Sequence, residues 1–176
     1  MRHAILVLVT ACGFHSPRSG DSDASIDAPG CPANYGLLRD LPSRYRVSGG
    51  TAANPDLAGR GTWVTAEADC RNDGFGTHLA IAETQAEHDA FVDVVSGATR
   101  WLGVTDRKVE GTWTTLIGGS TFYARWGSPP QNDLYDCLSL NRAIGHEDMP
   151  CAHPDPQWHK GYICECDGAA VDLTAF

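Results

Sequence analysis

The alternation of apolar and polar residues predicts a strand, a loop and a second strand in the middle of the chain. Residues 101–106 are an apolar run that begins with tryptophan and ends in turn-forming residues, which is typical of a short buried strand. The polar stretch 106–111 is expected to be a loop, and residues 112–115 the next strand. The loop therefore brings two carboxylates, Asp106 and Glu110, to one end of a sheet.

Two further segments carry the apolar period of amphipathic helices. The first covers residues 62–70, with Val64, Ala68 and Cys70 expected to face inward. The second runs from about residue 85 to residue 95, after a capping box formed by Thr84 and Glu87. Additional strands are predicted at residues 45–47, 76–81, 121–126, 137–141 and 161–166.

Composition limits the partners that the chain can have. Its 176 residues fit one ordinary domain with an appendage. The net charge is −9 and the only lysines are Lys108 and Lys160, so we expect no nucleic acid partner, because phosphate binding needs a basic surface. Seven cysteines, six of them after residue 30, indicate an oxidising compartment.

The N-terminal residues resemble an export signal. A short basic start, an apolar run at residues 4–9 and Cys12 match a bacterial lipoprotein signal, so we expect residues 1–12 to be the signal and Cys12 to be lipidated. The alternative is an ordinary secretory signal with an incidental cysteine. Residues 13–30 are rich in Ser, Gly, Pro and Asp and are expected to form a disordered linker. The predicted location is the cell envelope, as an outer-membrane lipoprotein or an extracellular protein that contacts the membrane only through its lipid.

A series of short motifs follows one another through the remaining chain. In chain order they are Trp63, Ala66 and Cys70; Gly76, His78, Leu79 and Ala80; Phe91 and Val92; the run from Trp101 to Trp113; Tyr123 and Trp126; Asp136 and Cys137; Asp148 and Cys151; and Tyr162 to Glu165. Together they resemble the pattern of C-type lectin-like domains over residues 31–167, which leaves residues 168–176 as a tail. The resemblance implies an α+β fold in which two helices flank small antiparallel sheets and a long irregular loop, held by disulfides.

The resemblance also implies how the cysteines pair. It joins Cys70 to Cys164 and Cys137 to Cys151, and this leaves Cys31 and Cys166 for a third bond. Here the chain departs from the longer form of the family, in which the N-terminal cysteine finds a partner about a dozen residues on. A metal site at the cysteines is disfavoured, since the chain has no C-x-x-C pair.

Members of this family that bind sugars do so through a calcium ion held by the long loop, here residues 127–150. In the matching positions we expect the ligand-binding residues to be Gln131, Asn132, Glu147 and Asp148. Two positions of this sugar-binding cage have lost their calcium ligand: Pro129 stands in the tripeptide that normally starts with Glu or Gln, and Tyr135 stands where an acid is expected. The resemblance therefore implies an incomplete sugar-type cage.

A second calcium position of the family is better matched. Asp106, Glu110 and Asp136 supply carboxylates, and Asn132 supplies an amide oxygen. Calcium at these residues would order the long loop rather than touch a ligand. The alternative is that Glu110 caps the following turn and Asp106 is a plain loop residue, and the sequence leaves both open.

Histidines, catalytic motifs and aromatic residues are the other candidates for function. Three histidines, His146, His153 and His159, match no zinc spacing and are expected to be solvated, whereas His78 is expected to be a packed structural residue. No catalytic motif is present, so we expect no enzymatic activity. Of the aromatic residues, Trp101, Trp113 and Trp126 are expected in the core, and Tyr135 and Trp158 at a ligand surface.

These observations predict an extracellular binding module that recognises a carbohydrate or a protein through residues 127–150, with calcium as a candidate cofactor. Two alternatives remain. One is a structural envelope lipoprotein without a ligand, and the other is a secreted metal-dependent enzyme.

Overall fold

The computed structural model describes residues 30–49, 59–95, 98–130 and 134–176. The predicted signal, most of the linker and Cys12 lie outside these residues. No helix in the described ranges is both long and apolar enough to cross a membrane. In chain order the elements are β1 (Gly36–Leu37), β2 (Arg44–Val47), α1 (Trp63–Asn72), β3 (Thr77–Leu79), α2 (Gln85–Val95), β4 (Arg100–Thr105), β5 (Thr114–Thr115), β6 (Cys137–Asn141), β7 (Gly145–Met149), a 3₁₀ turn (Pro156–Trp158) and β8 (Gly161–Cys166).

The strands form one mixed sheet around β8 and β4. Their order is β1-β2-β8-β4-β6-β7, with β3 also paired to β8 and β5 to β4. All pairings are antiparallel except that of β4 with β8, which join side by side at Arg100 with Gly161 and Trp101 with Tyr162. This short parallel contact fuses the two predicted antiparallel sheets. The α+β architecture with two helices is the predicted one.

The central motif is the core of the sheet. All six residues of β4 and all six of β8 are buried, as expected for strands covered on both faces. Trp101 is 1% exposed, and its Nε1 donates to Gly61 O at 2.8 Å. Trp63 Nε1 donates to Leu102 O at 2.7 Å, which fixes α1 on β4. Trp113 and Trp126 are only partly buried; they contact each other and pack on the core from outside.

Both helices begin where the sequence predicts and are stabilised by side-chain caps. Thr62 caps α1 by accepting from Thr65 N. At α2, Thr84 Oγ1 accepts from Glu87 N and the Glu87 carboxylate accepts from Thr84 N, so the predicted capping box is formed. Of the residues predicted to face inward, Cys70 is fully buried, but Val64 is 41% exposed and Ala68 is only partly buried, so the prediction is wrong for Val64. The buried stripe of α1 contains Trp63, Ala66, Glu67 and Cys70.

The segment 121–126, predicted as a strand, is irregular in the structure, and only Trp126 makes an isolated bridge, to His146. Its amides have other acceptors: Tyr123 N donates to Ala82 O at 2.6 Å, and Arg125 N donates to His146 Nδ1 at 2.9 Å. The predicted long loop is also shorter than expected, because the β6–β7 hairpin occupies its second half. Sequence periodicity missed β7 since four of its five residues are Gly, His, Glu and Asp, which are poor strand signals.

Three disulfides close the fold: the two pairs that the resemblance implies, and the third pair that they leave over. Cys31 bonds to Cys166, Cys70 to Cys164, and Cys137 to Cys151, with Cα–Cα distances of 5.8, 5.4 and 5.1 Å. The first two hold the start of the domain and α1 to β8. The third closes the base of the β6–β7 hairpin.

The C-terminal residues, expected as a tail, pack on the domain. Phe176 lies edge-on against Trp63 with ring centroids 5.5 Å apart. Asp172 N donates to Leu116 O at 2.7 Å, and Thr114 Oγ1 donates to Ala175 O at 3.3 Å. These contacts cover the outer end of β5.

A cluster of ionisable side chains is buried where β3 meets β8. His78 is fully buried, and its two ring nitrogens lie 2.8 Å from Leu79 O and 3.1 Å from Asp167 Oδ1. Both partners are acceptors, so the doubly protonated ring can donate a hydrogen bond to each. Burial disfavours the charged ring and lowers its pKa, but the Asp167 and Glu165 carboxylates and Leu79 O have the larger opposite effect and raise the His78 pKa to about 9. Burial raises the pKa of Glu165 to about 7. His78 is therefore a packed structural residue, as predicted.

An arginine clamp fastens β2 to α1. The Arg46 guanidinium pairs with Asp69 at 2.7 Å and with Asp73 at 2.6 Å. It also lies 5.8 Å from the ring centroids of both Tyr35 and Tyr162. This arrangement combines ion pairs with cation–π contacts at a side chain that is only 18% exposed.

Candidate functional site

The acids of the central motif gather at the end of β4. Asp106 follows the last residue of that strand, and its amide donates to Asp136 O at 3.1 Å, while Thr105 Oγ1 donates to the same oxygen at 2.6 Å. Asp106 is buried; its Oδ2 accepts from Gly111 N at 2.9 Å, and its Oδ1 has no hydrogen-bond partner among the described residues. Burial raises the Asp106 pKa, and the carboxylates of Glu110 and Asp136 raise it further. The structure thus places three of the four predicted metal ligands in one region.

These acids do not form a complete metal cage by themselves. No group of three or more His, Cys, Asp or Glu side chains in the described part of the chain is arranged to hold a metal ion. The fourth predicted ligand, Asn132, lies outside the described residues. One Asp106 carboxylate oxygen is already occupied by the Gly111 amide, which turns the 106–111 loop on itself. The described donor set therefore does not fit a calcium ion, which needs six to eight oxygens.

Of the four predicted ligand-binding residues, the structure describes Glu147 and Asp148, and it places these two on different faces of β7. Gln131 and Asn132 lie outside the described residues. Glu147 and Asp148 are neighbours in β7, so their side chains leave opposite faces of the sheet. Asp148 is 4% exposed and faces the same side as Leu138, its partner in β6. Glu147 is half-buried on the other side, where burial raises its pKa while Lys160 and Asn141 oppose the rise.

The three histidines considered for zinc form no shared metal site in the described part of the chain. The prediction that His146 is solvated is wrong, because this residue is fully buried in β7 against His88 of α2, with ring centroids 4.9 Å apart. Its Nδ1 accepts from Arg125 N, so in the neutral ring the proton sits on Nε2 and no lone pair is left for a metal. Burial lowers the His146 pKa to about 3, which keeps the ring neutral. His153 and His159 lie in the irregular segment after β7, where His159 Nε2 contacts His153 O.

A groove of about 460 Å³ opens beside the Cys137–Cys151 disulfide. Tyr135 and Trp158, the two aromatic residues predicted to reach a ligand surface, both line it. Its volume lies in the range of small-molecule sites, which is about 300–1,000 Å³. We call it the disulfide groove; the side chains that line it are Arg107, Leu134, Tyr135, Asp136, Pro150, Cys151, Ala152, His153 and Trp158.

Two fixed segments form the walls of the disulfide groove. On one side, the Asp136 main chain is held to the end of β4 by the two hydrogen bonds described above. On the other side, Asp155 caps the 3₁₀ turn through Gln157 N at 3.0 Å, and this turn presents Trp158. The disulfide joins the two sides. The groove is therefore built on covalent and hydrogen-bonded supports rather than on loop packing alone.

The Trp158 ring contacts one aromatic and one cationic side chain, which hold it in place. The His153 ring lies 5.1 Å from it at an angle of 39°, and the Lys160 ammonium lies 5.8 Å from its centroid. Lys160 is itself fixed by a two-way backbone pairing with Gly61 at 3.0 Å in each direction. Tyr135 and Trp158 are both half-buried, so each retains a ring surface that a ligand can reach.

Sequence reasoning missed Arg107 and His153 as groove residues. Arg107 is exposed and lies one residue after Asp106, and its adjacency to the central acids was the available signal. His153 follows the loop cysteine by two residues, so the 137–151 pairing already brought it near Tyr135. Only the folded chain shows that both lie at the same opening.

The chain matches the family model of the lectin C-type domain over residues 60–166. It is 30% identical over 109 residues to C-type lectin domain family 17 member A of Homo sapiens, covering 60% of this chain and 28% of that protein. It is 33% identical over 94 residues to the type-2 ice-structuring protein of Brachyopsis segaliensis, covering 51% of this chain and 54% of that protein. The chain therefore spans about half or less of the length of these relatives.

Among solved structures, a calcium-independent type II antifreeze protein superposes with a TM-score of 0.60 and 25% identity. The superposition covers 81% of this chain and 96% of that one. The similarity thus extends over most of both chains.

Proposed function

The chain belongs to the C-type lectin domain family, and from this membership we propose that it is an extracellular module that binds a carbohydrate in the disulfide groove without requiring calcium. The family comprises binding modules with different ligands, as the lectin and the ice-structuring relatives show by name. The ligand class has to be argued from the groove itself.

The observation that carries the proposal is the pair of half-buried aromatic side chains, Tyr135 and Trp158, that line one groove. An aromatic ring offers an apolar face to the C–H groups of a sugar ring, and the Tyr135 hydroxyl can exchange a hydrogen bond with a sugar hydroxyl. Arg107, Asp136 and His153 add donors and acceptors at the same opening. Such a mixture of apolar rings and polar groups suits a ligand that, like a sugar, has both C–H faces and hydroxyls.

Calcium independence is supported by the composition of the cage positions. The tripeptide position carries Pro129, the acid position carries Tyr135, and Glu147 and Asp148 face opposite sides of β7. A family member of similar structure is described as calcium-independent.

The test is binding to a glycan array, followed by calorimetric titration of the best glycan in calcium and again in excess chelator. We expect equal affinity in both buffers, and a loss of about tenfold or more in Tyr135→Ala and in Trp158→Ala, as for central aromatic anchors. Phe75→Ala is the matched control, since Phe75 is an aromatic residue that is 81% exposed and does not line the disulfide groove.

Three results would contradict the proposal. Glycan binding that disappears in chelator would show that binding requires calcium. Glycan binding that survives both aromatic substitutions would show that the sugar binds outside the disulfide groove. A chain that binds no glycan but binds an extracellular protein would show that the ligand is a protein. Thermal unfolding of each variant separates lost binding from lost folding.

The proposal includes an anchor at the N-terminus, which lies outside the described residues. Lipidation of Cys12 would hold the module on a cell envelope, because each buried methylene of an acyl chain adds about 0.8 kcal/mol of membrane affinity. Mass spectrometry of the protein purified from its native membrane is expected to show an acylated N-terminal Cys12. An unmodified N-terminus beyond Cys12 would remove the anchor and leave a secreted module.

A further inference from the structure

A second, smaller groove lies at the other end of β8. It has a volume of about 190 Å³ and is lined by Arg71, Gly74, Phe75, Thr77, Val171 and Leu173, among others. We call it the Phe75 groove. Phe75 is 81% exposed and Leu173 is 60% exposed, so two large apolar side chains face solvent at one opening. A contiguous apolar patch of this kind is typical of a surface that another segment covers.

The chain enters the domain at the edge of the Phe75 groove. The first disulfide joins Cys31 to Cys166 at the end of β8, and the backbone just beyond, at Gly168, donates to Gly76 O at 3.4 Å. A Cβ placed on Gly74 would lie 3.9 Å from Pro32 Cγ, so Pro32 is in contact distance of the groove wall. The first described residues of the chain, 30–32, therefore lie beside this opening.

The approaching segment carries complementary side chains. Between Cys12 and Cys31 its large apolar residues are Phe14 and Ile26. Ile26 precedes Pro32 by six residues, and six residues span at most about 20 Å. Asp23 and Asp27 flank Ile26, and the exposed guanidinium of Arg71 stands at the rim of the groove.

We propose that residues 23–27 dock in the Phe75 groove, with Ile26 on Phe75 and Leu173 and with an aspartate beside Arg71. The short tether gives the segment a high effective concentration, so a weak contact is enough for substantial occupancy. The disulfide groove lies near the start of β8, beside Trp158 and Lys160, and the Phe75 groove near its end. Six residues of strand span about 20 Å, so docking makes the tether leave from the end of the domain away from the ligand.

Hydrogen–deuterium exchange with mass spectrometry on the full chain tests this docking. We expect the amides of residues 24–27 to exchange on the order of threefold to tenfold more slowly in the wild type than in Phe75→Ser with Leu173→Ser. Ile26→Ser is expected to speed exchange in residues 74–77 and 170–173. Ala24→Ser is the matched control: it places the same side chain in the same segment without removing a large apolar group.

A charge reversal tests the second contact. Arg71→Glu is expected to remove most of the protection, and adding Asp23→Arg with Asp27→Arg is expected to restore it. Equal exchange rates in the wild type, Ile26→Ser and the groove variant would overturn the proposal. So would protection that grows with protein concentration, because the groove would then be covered by a second copy of the chain.

Discussion

Removing the buried imidazole of His78 should change how stability depends on pH. The ring is fully buried and its two nitrogens face the Leu79 carbonyl and the Asp167 carboxylate, so the folded protein favours the charged form. The folded-state pKa of about 9 lies above the ordinary value of 6.5. A raised pKa means that the folded state binds the proton more tightly, so the stabilisation is complete below pH 6.5 and is lost as the pH rises through 9.

The size of this effect follows from the displacement of the pKa. Each tenfold change in proton affinity corresponds to about 1.4 kcal/mol, so moving from 6.5 to about 9 corresponds to about 3 kcal/mol. Glu165 adds a change of the same sign at lower pH. Its pKa is raised from 4.5 to about 7, so the folded state favours its neutral form and loses stability as the pH rises between those values. The free energy of unfolding is therefore expected to fall across the range from pH 5 to pH 9.

Urea denaturation of the wild type and of His78→Gln at half-unit steps of pH measures this directly. The difference in unfolding free energy between the two is expected to be largest below pH 6.5 and to shrink by about 3 kcal/mol by pH 9.5. His153→Gln is the control, since that histidine is only partly buried and its ring contacts only near neighbours in the chain, the Asp155 amide and Trp158. Parallel stability curves for the wild type and His78→Gln would refute the reasoning, because the ring would then carry no excess proton in the folded state.

Three other changes have definite expected outcomes. Gly103→Ala would place a methyl group 2.3 Å from the Leu79 carbonyl oxygen, which cannot rotate away, so urea denaturation should show an unfolding free energy lower by about 3 kcal/mol. The control is Gly36→Ala, which has nothing within 4 Å and should change the unfolding free energy by less than about 0.5 kcal/mol. Equal losses in the two variants would contradict the close packing at Gly103. Replacing Cys137 and Cys151 together by Ser should cost about 3 kcal/mol in the same assay and weaken glycan binding, and an unchanged denaturation midpoint would deny the bridge its stabilising role. Arg46→Lys should cost about 2 kcal/mol, because lysine keeps the charge but cannot bond both aspartates in one plane; a denaturation midpoint equal to that of the wild type would show that the charge alone suffices.

The sequence-based predictions fail at residues 121–126 and at His146, because contacts distant in the chain decide their structure. The strand at residues 121–126 was predicted from aromatic content, but its amides bond to a loop carbonyl and a histidine ring, which no local pattern encodes. His146 was predicted to be solvated because prolines follow it. It is buried because β7 pairs with β6 and packs against His88 of α2.

In the candidate site, too, the sequence predicts which residues take part, and the fold decides how they are placed. Tyr135 and Trp158 could be named from the sequence because aromatic residues near a recognition loop are candidates for ligand contact. That they face the same groove follows only from the Cys137–Cys151 bond and the capped turn at residues 155–158. The acids Asp106 and Asp136 were also predicted to be close, and the Thr105 and Asp106 hydrogen bonds to Asp136 O bring them together.

By itself the sequence determined the two helices, the buried strands predicted at residues 101–106 and 161–166, and the family, because these depend on local periodicity, capping and motif order. The tertiary structure alone decided the parallel contact of β4 with β8, the burial of the His146 ring, the carboxylates that surround the His78 ring, and the position of both grooves. These features arise from contacts between residues far apart in the chain, and their energies depend on burial and neighbouring charges that no single segment carries.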